Sequence, residues 1–182
     1  MSKVYVFLAD GFEEIEGLTV VDLLRRAGID TVTVSIMGRL EIEGSHRIRV
    51  KADMLFQEID PGMEDTLVLP GGMPGTRYLG ECRELTELLI KANEEKRRMA
   101  AICAAPTVFG KLGFLIGRKA ICYPGMEEGL TGAVVTVESV VTDGHITTSR
   151  GLGTAIPFAL RLIELIKDED TARRIAKSVV YH

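Results

Sequence analysis

Short β-rich apolar runs alternate with amphipathic helical patterns from one end of this chain to the other. That alternation predicts an α/β domain with a mainly parallel sheet and helices on both of its faces. Two details sharpen the expectation. Residues 3–9, KVYVFLA, are continuously apolar, as a strand covered on both faces must be. Leu85, Leu88, Leu89 and Ala92 recur at i, i+3, i+4 and i+7, which draws one apolar stripe along a helix.

The elements follow in order. After the first strand, residues 17–27 read as a helix rich in Leu and Val, and Gly28 suits the left-handed position just past its end. Residues 31–36, TVTVSI, form the next strand. Residues 40–51 alternate polar and apolar about Gly44 and Ser45, as a hairpin with one wet face does. Residues 66–69, TLVL, are a buried strand running into Pro70-Gly71-Gly72, and residues 99–102, MAAI, run straight into Cys103. Strands are expected at 119–122 and 134–136, and a hairpin at 140–148 turning on Asp143-Gly144. Ile156, Ala159, Leu160 and Ile163 stripe a long helix, and a shorter helix covers 171–178.

The 182 residues suit one domain spanning 1–182, and 46% hydrophobic with 26% charged residues is ordinary for a globular protein. A net charge of −4 leaves no basic surplus, and Lys96-Arg97-Arg98 follows Glu94-Glu95 as a solvated helix end would, so no nucleic-acid groove is expected. No apolar stretch approaches the roughly 18 residues that span a bilayer, so no membrane partner is expected either. The opening MSKVYVFLADGFEE turns acidic at once and reads as a first strand, not a leader. Cys82, Cys103 and Cys122 are odd in number and lack C-x-x-C spacing. This argues against a disulfide framework or a zinc site and for a reducing, cytoplasmic setting. No metal and no cofactor is expected.

In parallel α/β sheets the reacting groups collect at the carboxyl ends of the strands. Three such ends carry unusual residues: Asp10-Gly11-Phe12-Glu13-Glu14-Ile15-Glu16, Pro70-Gly71-Gly72-Met73-Pro74-Gly75 and Ala101-Ile102-Cys103-Ala104-Ala105-Pro106. A cysteine between a buried strand and a new helix sits on a sharp turn near the positive end of the helix dipole, which favours the thiolate. A glycine pair after a strand leaves N–H groups free to hold an oxyanion. A carboxyl buried beside a thiolate would keep its proton and could move it. Taken singly, each has an ordinary explanation in packing, turns or helix-dipole pairing; the case rests on all three meeting at one edge.

ADGFEEIE, VLPGGMPG, AAICAAPT and TSRGLGTA, in this order and spacing, resemble the DJ-one branch of the ThiJ/PfpI superfamily over essentially the whole chain. The resemblance implies a flavodoxin-like three-layer α/β/α sandwich, related to class I glutamine amidotransferases, that forms a homodimer with its sites near the interface. It implies Cys103 as a redox-sensitive nucleophile on an elbow and Glu16 as a protonated glutamate hydrogen-bonded to it. Gly72 and Ala104 match oxyanion-hole amides, and Arg26 matches an arginine on an anion-binding rim.

The chain also departs from the pattern. Tyr123 stands where many superfamily members carry a histidine, so the peptidase-type Cys–His pair is absent. Ser45-His46-Arg47 stands where relatives have a Ser-Arg pair, which brings His46 towards the rim, and Leu152 stands where some have a proline reaching the partner. Two functions remain open. One is a glutathione-independent glyoxalase or deglycase acting on small reactive carbonyls or on glycated proteins and nucleotides. The other is a redox sensor or stress chaperone working through oxidation of Cys103.

Overall fold

The structure is a computed structural model that describes residues 2–182. Seven strands make the central sheet: β1 (Lys3–Leu8), β2 (Asp30–Ser35), β5 (Met54–Leu55), β6 (Thr66–Leu69), β7 (Met99–Ile102), β10 (Val140–Asp143) and β11 (Ile146–Ser149). Their order is β10-β11-β7-β6-β1-β2-β5, parallel throughout except for β10. Two ribbons stand apart, the antiparallel β3 (Glu41–Glu43) with β4 (Arg49–Lys51), and the parallel β8 (Lys119–Ala120) with β9 (Val134–Val135).

Among the described residues, six α-helices cover the sheet: α1 (Glu14–Arg26), α2 (Gly75–Glu81), α3 (Arg83–Glu94), α4 (Pro106–Lys111), α5 (Ala155–Ile166) and α6 (Glu169–Ser178). Side chains alternate across a strand, so β1 feeds two cores. Val4, Val6 and Leu8 pack with α1, α5 and α6, whereas Tyr5 and Phe7 pack with α2, α3 and α4. Phe7, Phe12, Phe109 and Phe158 are fully buried, and each contributes about 1.5–3 kcal/mol against leaving it in water.

From β1 the chain crosses over α1 to β2 on one side; from β6 it crosses over α2 and α3 to β7 on the other. The carboxyl ends of β1 and β6 therefore flank a topological switch point, where such sheets open a crevice.

The expected elements recur with local changes. The first helix begins at Glu14, three residues before its apolar stripe, and Gly28 follows it at φ +69°. Both hairpins form, with turns shifted by about one residue: the first loops over residues 44–48 about His46, and the second turns on Gly144-His145 between the paired Asp143 and Ile146. The strand expected at 119–122 ends at Ala120 and belongs to the outlying ribbon, so Cys122 lies beyond it in irregular backbone. The two-residue β5 and the helix α2 carry too little periodicity to be read from sequence. Among the described residues, no helix is long and apolar enough to cross a membrane.

Candidate active site around Cys103

β7 ends at Ile102, and the next residue turns sharply. Cys103 has φ +64°, a left-handed conformation that costs a non-glycine residue roughly 1–2 kcal/mol. Two hydrogen bonds hold it there: its N–H donates to the Ser149 carbonyl at the end of β11 (3.0 Å), and its carbonyl accepts from the Tyr123 N–H (2.7 Å). The sulfur is thus presented at the carboxyl edge of the sheet, half-buried. The helix behind it, α4, has only six residues.

Glu16 reaches the same spot from the first turn of α1. It is 1% exposed, and its Oε2 accepts from the Gly71 N–H at 3.0 Å. Gly71 is the spacer that makes the meeting possible. A Cβ there would lie 2.5 Å from the Cys103 Cβ and 2.6 Å from Glu16 Oε2, so only glycine fits. Gly72 adopts φ +91°, and any side chain would strike the Glu13 amide at 2.3 Å. The N–H groups of Ala104 and Gly72 are turned towards the Cys103 sulfur and favour its charged form.

Burial pushes the Glu16 carboxyl up to about 7, opposed by its hydrogen bonds to Cys103 and the Gly71 amide, with the Glu13 charge adding to the rise. Burial also pushes the Cys103 thiol up, to about 12, followed by the charge of Glu16 and the hydrogen bond to it, against the Ala104 and Gly72 amides. This corrects the expectation that the elbow alone favours a thiolate. An ionised Glu16 holds the thiol proton in place, and only a protonated Glu16 removes that repulsion and becomes a donor to sulfur. The two groups titrate as one unit.

Glu14, absent from the expected site, is as deeply buried as Glu16 but faces away from Cys103. Its Oε1 accepts from the His46 N–H (2.8 Å), and its Oε2 meets His46 Nδ1 (3.0 Å) and the Ser45 hydroxyl (3.2 Å). His46 therefore does not join Cys103: it is exposed and pinned on Glu14 by the β3–β4 turn. Glu13, Glu14 and His46 bring ligand-type atoms within 4.8 Å of one another, and the Ser45 hydroxyl already bridges the two carboxylates.

Arg26 is a second correction. It lies ten residues along α1 from Glu16, about 15 Å by helical rise, exposed and paired with Asp22 at 2.6 Å. It is not on the rim of the Cys103 site of its own chain. Two residues that do border the site are Leu152, whose N–H bonds Glu16, and Tyr123. Cys82 sits half-buried ahead of α3, and Cys122 is fully buried with its thiol pushed up to about 11 by burial and then Glu127. A cavity of about 820 Å³ lined by β10, α5 and α6 contains none of these residues.

Known proteins resemble this chain in sequence and fold. The family model described as the DJ-1/PfpI family matches residues 2–165. Protein DJ-1 homolog B of Arabidopsis thaliana is 37% identical over 180 residues, covering 98% of this chain but 41% of its own length. This chain thus spans less than half of that relative. A Pyrococcus abyssi protein named a deglycase is 32% identical over 168 residues, covering 91% of this chain and 99% of that one. The structure of oxidized Toxoplasma gondii DJ-1 superposes with a TM-score of 0.94 at 35% identity, covering 100% of this chain and 99% of that one. With the sheet order, the strained cysteine and the family match all in agreement, the chain belongs to the DJ-1/PfpI family.

Proposed function

We propose that the protein is a cysteine-dependent glyoxalase or deglycase, acting without cofactor on methylglyoxal, glyoxal or their early adducts with proteins and nucleotides. The observation that carries this reading is a strained, half-buried Cys103 facing a buried carboxyl poised near pH 7, with two N–H groups aimed at the sulfur. The Cys103 thiol gives its proton to Glu16 as the sulfur adds to the aldehyde carbon, and Glu16 passes that proton to the carbonyl oxygen, giving a hemithioacetal held by the Gly72 and Ala104 amides. Glu16, now ionised, takes the proton from C1 and returns it to C2, which leaves a lactoyl thioester. Water hydrolyses it to lactate and regenerates the thiol, with no net oxidant or reductant. The relative named a deglycase supports this class.

Peptide cleavage is outside this reading. His46 is held on Glu14, His145 bonds Asn93 at the far end of β11, and His182 is terminal, so no imidazole stands ready to protonate an amine leaving group. The protein acts in the cytoplasm as a homodimer on this reading; exposed Ile15, Ile48 and Leu152 supply apolar surface for a second copy.

A second reading, the redox sensor, draws on the same pocket, since Glu16 and the two amides would also bind a Cys103 sulfinate. Methylglyoxal loss in wild type, Cys103→Ala, Cys82→Ala and Cys122→Ala tests the enzyme. Loss by orders of magnitude in Cys103→Ala alone supports it. No Cys103-dependent turnover, together with a gain of two oxygens at Cys103 after peroxide, favours the sensor.

A further inference from the structure

The mouth of the Cys103 site has a wall that the chemistry above does not use. Tyr123 is tied to the elbow through its backbone, N–H to the Cys103 carbonyl at 2.7 Å, while its side chain is 52% exposed. A Cβ built on Gly151 would meet Tyr123 Cδ2 at 3.4 Å and Cε2 at 3.8 Å, and the same point lies 3.7 Å from Glu16 Oε1. The ring edge and the Glu16 carboxyl therefore both come within contact distance of one spot at Gly151, and the residue after Gly151 donates its N–H to Glu16. Gly151 itself has φ 163°, extended backbone open to any residue. Its missing side chain is thus a gap between ring and carboxyl and not a backbone requirement.

None of the cavities of about 820, 630, 380 and 230 Å³ is lined by Cys103, Glu16 or Tyr123. The half-exposed Tyr123 ring, beside Gly151 and Glu16, stands on the rim of the approach to the sulfur.

We propose that Tyr123, across the gap left by Gly151, is a specificity-determining residue that admits small unbranched carbonyl compounds to Cys103 and turns away aryl or branched ones. The inference rests on the reading of Cys103 as the reactive group and adds the substrate class. The ring acts by bulk, so a phenylalanine serves as well as tyrosine, whereas a methyl side chain opens the mouth. An added methyl at Gly151 fits the space at ordinary contact distances and narrows the mouth further.

The test is the rate of Cys103 alkylation, located by peptide mass, with iodoacetamide and with its N-phenyl derivative at the same pH. The quantity read is the ratio of the bulky to the small rate. Tyr123→Ala should raise that ratio by roughly tenfold, in line with what one side chain's bulk discriminates in a pocket. Tyr123→Phe should restore the wild-type ratio, and Gly151→Ala should lower it. Melting curves identify any variant that fails to fold, and Tyr123→Leu then stands in for Tyr123→Ala. An unchanged ratio in Tyr123→Ala with Cys103 still reactive overturns the wall and leaves the proposed function standing. A Cys103 that reacts with neither reagent overturns both.

Discussion

Glu14 and Glu16 lie two residues apart in the first turn of α1, at 2% and 1% exposure, and their environments drive them in opposite directions. For Glu14, burial would raise the carboxyl, but its own N–H, the His46 ring and the His46 and Ile48 amides outweigh it, and the group is held below the usual range. For Glu16, burial wins and the carboxyl rises to about 7, because its strongest partner is a thiol and not a cation. Both side chains are shut off from solvent, but Glu16 is enclosed by more protein and has fewer polar partners, so Glu14 is held as the anion at neutral pH while Glu16 is raised to about 7. What a buried carboxyl does is decided by how deeply it is enclosed and by the partners that the helix face offers it. The Glu14 face is a latch for the β3–β4 hairpin; the Glu16 face is turned to Cys103.

Substitutions sharpen this contrast. The largest effect is expected on turnover: Glu16→Gln should lower methylglyoxal consumption by orders of magnitude, while Glu14→Gln, which leaves the Cys103 pocket intact, should lower it far less. Equal losses in the two variants would break the division of roles.

Next in size is stability against pH. Glu16 has its folded value raised from 4.5 to about 7. Its contribution is therefore fully present below about pH 4.5 and is lost as pH rises through about 7. At about 1.4 kcal/mol per pH unit this makes about 3 kcal/mol. Urea titrations of wild type against Glu16→Gln should show a gap that moves by about that amount in favour of the variant between pH 4 and pH 8.

Glu14 runs the other way. Its folded value is lowered, so its contribution is present above about pH 4.5 and fades as pH falls through the folded value. Glu14→Leu should be less stable than wild type by about 1–3 kcal/mol at pH 7, the cost of stranding the His46 and Ile48 amides, and the deficit should shrink in acid. The smallest effect belongs to His46, raised first by its hydrogen bond to Glu14 and then by the charges of Glu13 and Glu14. His46→Ala should lose a little stability at pH 6 and none at pH 9, since protonated His46 contributes only below its raised folded value.

The sequence made much of this legible. The continuous apolar run of β1 and the strand-to-cysteine junction at Ile102-Cys103 located the sheet and the elbow, because buried parallel strands and sharp turns leave local marks in residue type. Glu16 was legible through the resemblance. Three things were not. Glu14 and Glu16 carry the same side chain in the same turn, and only the hairpin brought over Glu14 from residues 44–48 separates them. Arg26 matched a rim arginine by position, but helical rise carries it away from the Cys103 pocket. The thiol's upward shift depends on a charge brought from α1 to the end of β7, a long-range pairing that spacing does not encode.

The central claim is that a protonated Glu16 activates Cys103. Iodoacetamide alkylation of Cys103 at pH 6, below the Glu16 value of about 7, compares wild type with Glu16→Leu most directly. At that pH Glu16 is mostly neutral and donates to sulfur, so wild type should react several-fold faster and Glu16→Leu should lose that advantage. If Glu16→Leu reacts as fast as wild type or faster, the carboxyl only restrains the thiol, and the account of the site is wrong.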